Sequence, residues 1–151
     1  MGIGELDVSA DGTPLQTMGV GSCLGVVLCD PEAGVGGLAH VMLPSADGEP
    51  ANPVRYTDTG IHELHTAVTE AGAEPTALVA KIAGGSQMFD FSGESGDVGQ
   101  RNAVVARETL ADLDVPVDGT DVGGDYGRSL RFDPEGCVFV VEGVGTDRIK
   151  L

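Results

Sequence analysis

The stretch TMGVGSCLGVVLCDPEAGVGGLAHVMLP, Thr17 to Pro44, sets two apolar runs on either side of Asp30-Pro31-Glu32-Ala33-Gly34. Asp suits the first position of a turn, Pro presets φ at the second, and Gly34 takes the left-handed conformation without steric cost. Cys23–Cys29 and Val35–Met42 are therefore predicted to pair as a β-hairpin. A four-residue loop sets Cys23 opposite Met42 with His40 as its diagonal neighbour, and a two-residue loop sets Cys23 directly opposite His40. Either even loop length leaves both side chains on one face, within about 5–8 Å. A three-residue loop would separate them. Cys29 lies six residues from Cys23, about 20 Å along a strand, so the two cannot share a metal.

Short β-type runs broken by glycine continue outward from this hairpin. Strands are predicted at Gly4–Ser9, Leu15–Met18, Ala77–Ala83, Val115–Val122, Leu130–Phe132 and Val138–Glu142 as well as in the hairpin. Two segments carry a helical period instead. Thr57–Ala71 sets Ile61, Leu64, Val68 and Ala71 on one stripe, with Asp58 or Thr57 as N-cap and Gly72 past its end. Gln100–Leu113 sets Ala103, Ala106, Leu110 and Leu113 on another. Pro44–Pro53 reads as a surface loop. Two helices and about eight strands without regular βα alternation give an α+β fold, sheet against helices, and argue against a doubly wound sheet. At 151 residues with no linker or repeat, residues 1–151 fit one domain.

The charge count narrows the partners. Asp and Glu number 24 against 8 Lys and Arg, a net −16, and only Lys81 and Lys150 are lysines. Such a surface repels phosphate, which excludes nucleic acid and anionic membranes as partners. A hydrophobic share of 41% separates the chain from acidic disordered segments, and no apolar run reaches the ~20 residues of a membrane span. The start, MGIGELDVSA, has neither a cationic nor an apolar leader region, so a cytoplasmic protein is expected. Screening falls from about 8 Å at ordinary ionic strength to about 3 Å at molar salt. A lysine-poor, Asp-rich surface around a normal interior is what a halophile's cytoplasm permits; an acidic protein of a mesophile is the alternative.

Cys23, Cys29 and Cys137 make an odd number with no CxxC, which argues against a disulfide framework and a structural zinc site. Cys29 and Cys137 read as core thiols. Cys23 differs because Gly19-Val20-Gly21-Ser22 precedes it, a glycine-rich approach that leaves N–H groups free. A thiolate beside unpaired amides provides a nucleophile and donors for an oxyanion. From the residues alone, Cys23 reads equally as a core thiol. His62 and His65 read as solvated helix residues, and neither a metal nor a cofactor is expected. Gly84-Gly85 follows a strand and either borders a cleft or forms a plain turn. No phosphate-binding glycine pattern is present.

The Thr17–Pro44 stretch resembles the start of CheD, the chemoreceptor glutamine deamidase family. The resemblance continues through RYTDTGIHELHTAVTEAGA (Arg55–Ala73), AKIAGGSQMF (Ala80–Phe89), VGQRNAVVARETL (Val98–Leu110) and DVGGDYGRSLRF (Asp121–Phe132). It implies an α/β sandwich like that of deamidating bacterial toxins, and hydrolysis of receptor glutamine amides to glutamate. It also implies a Cys-His-Thr triad on Cys23, His40 and Thr17. Implied partners are chemoreceptor cytoplasmic helices and a CheC-type phosphatase, with the chain itself expected to be a monomer. Gln100 and Ser86 depart from the family's usual Glu and Ala. Gly21, Ser22, Gly84, Gly85, Arg101 and Asn102 are the candidates for substrate or oxyanion contacts. A −16 field disfavours a thiolate, so His40 as imidazolium, the Gly21–Cys23 amides, or Arg101 must oppose it; Arg101 reads alternatively as a salt-bridge partner of Asp97 or Glu94. A non-catalytic adaptor and an acyl transferase to amines are the competing functions.

The charge reading predicts that the thermal midpoint rises from ~0.1 M to molar salt as surface repulsion is screened. A melt undiminished at low salt would overturn it.

Overall fold

The computed structural model describes residues 1–87 and 98–151. Nine strands and two helices are found among them: β1 Leu6–Ser9, β2 Leu15–Val20, β3 Leu24–Asp30, β4 Val35–Val41, α1 Thr57–Glu70, β5 Val79–Gly84, α2 Val98–Asp112, β6 Val117–Val122, β7 Arg128–Asp133, β8 Val138–Gly143 and β9 Arg148–Lys150. Five strands form one sheet in the order β1-β4-β3-β5-β6, and four form a second in the order β2-β7-β8-β9. Every pairing is antiparallel except β5 with β6.

The helices cover one face of the five-stranded sheet and the four-stranded sheet covers the other. One apolar cluster joins Leu24, Val26 and Leu28 of β3 to Ile61, Leu64 and Val68 of α1 and Leu110 of α2. The other joins Val27 and Cys29 of β3 and Leu38 of β4 to Leu130, Phe132, Phe139 and Val141 of the second sheet. The middle layer is thus buried on both faces, which is why β3 and β4 read as nearly continuous apolar runs while β7 alternates. Close approach on both sides also explains Gly36-Gly37. A Cβ at Gly36 would stand 2.5 Å from the Phe132 ring, and one at Gly37 would stand 2.8 Å from Leu64.

The hairpin turn has the four-residue form. Asp30 pairs with Val35 and the ladder runs in register to Leu24 opposite Val41. Asp30 holds the turn through its carboxylate, which accepts amides from Glu32 at 3.1 Å, Ala33 at 3.2 Å and Glu74 at 2.9 Å. These donors, Glu74 foremost, hold its carboxyl below the usual range.

Four expectations are corrected. Strand β9 is a short exposed edge with no apolar alternation, and the sequence pattern did not contain it. Pro75–Ala77 forms a 3₁₀ turn, so β5 starts at Val79. Tyr56 is the N-cap of α1 and makes no side-chain cap bond; the Thr57 hydroxyl instead donates to Leu43 O at 2.9 Å. Cys29 and Cys137 are not separate core thiols: the structure joins them in a disulfide across the two sheets, with Cα atoms 6.2 Å apart. They lie 108 residues apart, and no local spacing shows that two strands of different sheets face each other.

Asp30→Ala removes a charged acceptor from three backbone donors and should cost about 1.5–3 kcal/mol in denaturant unfolding. The loss should shrink in acid, because a depressed carboxyl contributes its stability above its unfolded pKa and loses it as the pH falls.

Candidate active site

Cys23 is the one free cysteine and is buried. It lies just before β3 and packs in the cluster between the sheets. The observed register sets it beside His40, which pairs with Gly25 across the hairpin. Thr17 comes from the other layer, pointing inward from β2, where the register against β7 shifts between Thr17 and Val20. A bulge at this point redirects the strand into the Gly21–Cys23 approach. The site is therefore assembled from two sheets.

Thr17 Oγ1 and His40 Nδ1 lie 2.8 Å apart. Thr17 Oγ1 also donates to the main-chain oxygen of Met1 at 2.9 Å. A hydroxyl has one proton, and a carbonyl can only accept. With that proton on Met1 O, Thr17 would accept from His40 Nδ1–H and Nε2 would keep its lone pair. Nε2 is buried and has no hydrogen-bond partner among the described residues. A buried unpaired nitrogen is costly in a merely structural histidine, and the Cys23 thiol lies on the same face.

Burial disfavours the charged form of both partners. Burial pushes the Cys23 thiol above its ordinary 9.0, opposed by its own backbone amide. Burial, and secondly the N-terminal ammonium, push His40 below 6.5. Both directions run against a resting imidazolium as the group that offsets the surface field.

The other expected residues divide into donors and supports. Among the described residues, the amides of Gly21, Ser22 and Cys23 donate no loop hydrogen bond. Gly84 and Gly85 support the loop from below. Gly85 N–H donates to Cys23 O at 2.8 Å, and a Cβ on Gly84, at φ +114°, would stand 2.5 Å from that same oxygen. Asn102 is buried on α2, and its amide donates to Ser22 O at 2.9 Å and Met42 O at 3.0 Å, tying the two arms beside Cys23. Arg101 lines a groove of about 550 Å³ between α2 and Pro44-Ser45, together with Gln100, Val104 and Val105. Its expected partners Asp97 and Glu94 lie outside the described residues.

One support was missed. Arg128 is buried and donates from Nε to Asp121 at 3.0 Å and from Nη1 to Ser86 Oγ at 2.7 Å. Ser86 N–H in turn donates to Gly21 O at 2.9 Å. This lattice braces the loop that leads to Cys23. Its signal was legible in β7, where Arg128 shares the inward period of Leu130 and Phe132.

The family model for CheD chemotactic sensory transduction matches residues 42–142. The chain belongs to the CheD family. It is 46% identical over 152 residues to a probable chemoreceptor glutamine deamidase CheD of Haloarcula marismortui, covering 100% of this chain and 88% of that protein. A protein of the same name from Natronomonas pharaonis is 46% identical over 133 residues, covering 87% and 79%. One from Lachnoclostridium phytofermentans is 39% identical over 155 residues, covering 100% and 96%. The family-model match begins two residues beyond His40, and the full-length alignments extend the likeness of this CheD-family chain across Thr17, Cys23 and His40. The Haloarcula and Natronomonas relatives fit the halophile reading of the charge.

A reaction run by this pair should keep its acid limb below pH 6.5, since protonating Nε2 abolishes the base and His40 is depressed. Iodoacetamide alkylation of Cys23 should rise until above pH 9.0. An acid limb above 6.5 would show His40 held charged instead.

Proposed function

We propose that this CheD-family protein hydrolyses glutamine side-chain amides on chemoreceptors to glutamate and ammonia through a Cys23 thioester. The deamidase activity follows the family and the names of its full-length relatives. The observation that carries the cysteine mechanism is the Thr17–His40 bond, which leaves an unpaired Nε2 on the face of the one free thiol.

His40 Nε2 takes the Cys23 proton as sulfur attacks the carboxamide carbon. The carbonyl oxygen becomes an oxyanion facing the Gly21–Cys23 amides. The tetrahedral centre collapses as His40 returns the proton to nitrogen, breaking the C–N bond and releasing ammonia. The thioester remains. Nε2 then deprotonates water, which attacks the thioester; glutamate forms, and the sulfur leaves and regains the proton from His40. Thr17 fixes the ring's tautomer throughout but, being uncharged, stabilises imidazolium little. The steps use no cofactor.

The partner is the cytoplasmic helical region of a chemoreceptor, which places this chain in the cytoplasm. Among the described residues, no helix is long and apolar enough to cross a membrane. The groove beside Arg101 and Pro44 gives a helical substrate a place to lie beside the site. A CheC-type phosphatase is a second partner that would compete for the same cleft, and the chain acts as a monomer.

A receptor cytoplasmic fragment incubated at high salt should release ammonia and show the mass gain of an amide-to-acid change at particular glutamines. Cys23→Ala should lower that rate roughly a thousandfold or more. Full activity in the variant would sink the nucleophile, a chemotaxis effect surviving without deamidation would support the adaptor reading, and incorporation of a labelled amine would reveal acyl transfer.

A further inference from the structure

We propose that the main-chain carbonyl of Met1 is a working part of the catalytic relay, setting the direction of the Thr17–His40 hydrogen bond and so leaving Nε2 bare for the Cys23 proton. The inference rests on the Cys23–His40 reading above and adds a positioning group to it.

A threonine beside a histidine does not by itself choose a tautomer. Its hydroxyl donates to Nδ1 as readily as it accepts from Nδ1–H. In the first case the ring proton sits on Nε2, and the histidine cannot act as a base toward a thiol on that side. In the second it can. The choice falls to whatever else the hydroxyl touches, and here that is Met1 O at 2.9 Å. A carbonyl oxygen has no proton to offer, so Thr17 spends its own on Met1 and receives from His40.

The segment that carries Met1 is built against His40 from several directions. Gly4 N–H donates to His40 O at 2.8 Å, and His40 N–H donates to Glu5 O at 3.0 Å. Glu5 N–H donates to Gly2 O at 3.2 Å, closing a tight turn between them. Asn52 anchors that turn by donating its side-chain amide to Gly4 O at 3.1 Å. The Met1 side chain packs on the apolar cluster between the sheets. Residues 1–5 thus hold both backbone groups of His40 and, through Thr17, its ring. Because the working atom belongs to the main chain, any side chain at position 1 would serve, and no sequence pattern could mark it.

The prediction concerns a proton, so the unmodified protein tests it. Nitrogen-15 spectra at neutral pH of chain whose intact mass shows Met1 retained before Gly2 should show His40 as the Nδ1–H tautomer; an Nε2–H signal in that sample would overturn the proposal outright. Protein beginning at Gly2, which lacks the Met1 carbonyl, should populate Nε2–H, alkylate more slowly at Cys23 and lose about tenfold in kcat with KM unchanged. Chain extended upstream of Met1 keeps the carbonyl and moves the ammonium away; it should retain the Nδ1–H tautomer and kcat. A Gly2-start protein that melts like the full chain yet keeps the tautomer and its kcat would also overturn the proposal. These spectra and alkylation rates need no substrate. A failure of the deamidase reading, seen as full activity in Cys23→Ala, is therefore distinguishable from a failure of the Met1 relay.

Discussion

The register of one hairpin governs the rest of this structure. Four residues between Asp30 and Val35 place Cys23 and His40 on the same face of the central sheet, and a one-residue slip would send them to opposite layers. That face meets the four-stranded sheet rather than the helices, so the pair is enclosed between two β layers. Enclosure then sets the chemistry. It raises the pKa of the thiol and lowers that of the imidazole. The surface charge of −16 acts on this pair from outside, while desolvation and a fixed proton direction act on it from within.

The cations show how an acidic chain spends its few positive charges. Lys81 is buried in the central sheet, donating to Cys137 O at 2.8 Å. Arg128 is buried beneath the loop that leads to Cys23, with its Asp121 partner, and stacks 4.4 Å over the Tyr126 ring. Two of eight cations therefore serve as interior ties. A buried arginine must satisfy its donors or it destabilises the fold, and here they go to the loop carbonyl, hydroxyl and carboxylate groups that fix the turn at Gly84–Ser86.

What the sequence made legible was local. The Asp30-Pro31 turn, the two amphipathic stripes, and the glycine approach to Cys23 each act within about ten residues, and each element stands within a few residues of its expected place. The α+β class and the layering of helices on a sheet followed from them. The pieces that escaped depend on contacts between layers. The Cys29–Cys137 disulfide, the Arg128–Ser86–Gly21 tie and the Thr17–Met1 bond each join segments that only the packing of one sheet on another brings together. Thr17 shows the limit most sharply. As a residue it is an ordinary strand threonine, only the family resemblance singled it out, and its role depends on a carbonyl sixteen residues earlier.

The division of the proposed triad between two sheets has a consequence for how the site would fail. Cys23 and His40 belong to one layer and Thr17 to the other, and the bond that orients the ring crosses the seam. A shift of the layers by less than a strand spacing, about 4.8 Å, would break that bond while leaving both ladders intact. The proposed chemistry would therefore depend on the interface as much as on either sheet. The Cys29–Cys137 disulfide ties the two layers across the same seam, so the covalent link and the ring-orienting bond resist the same displacement.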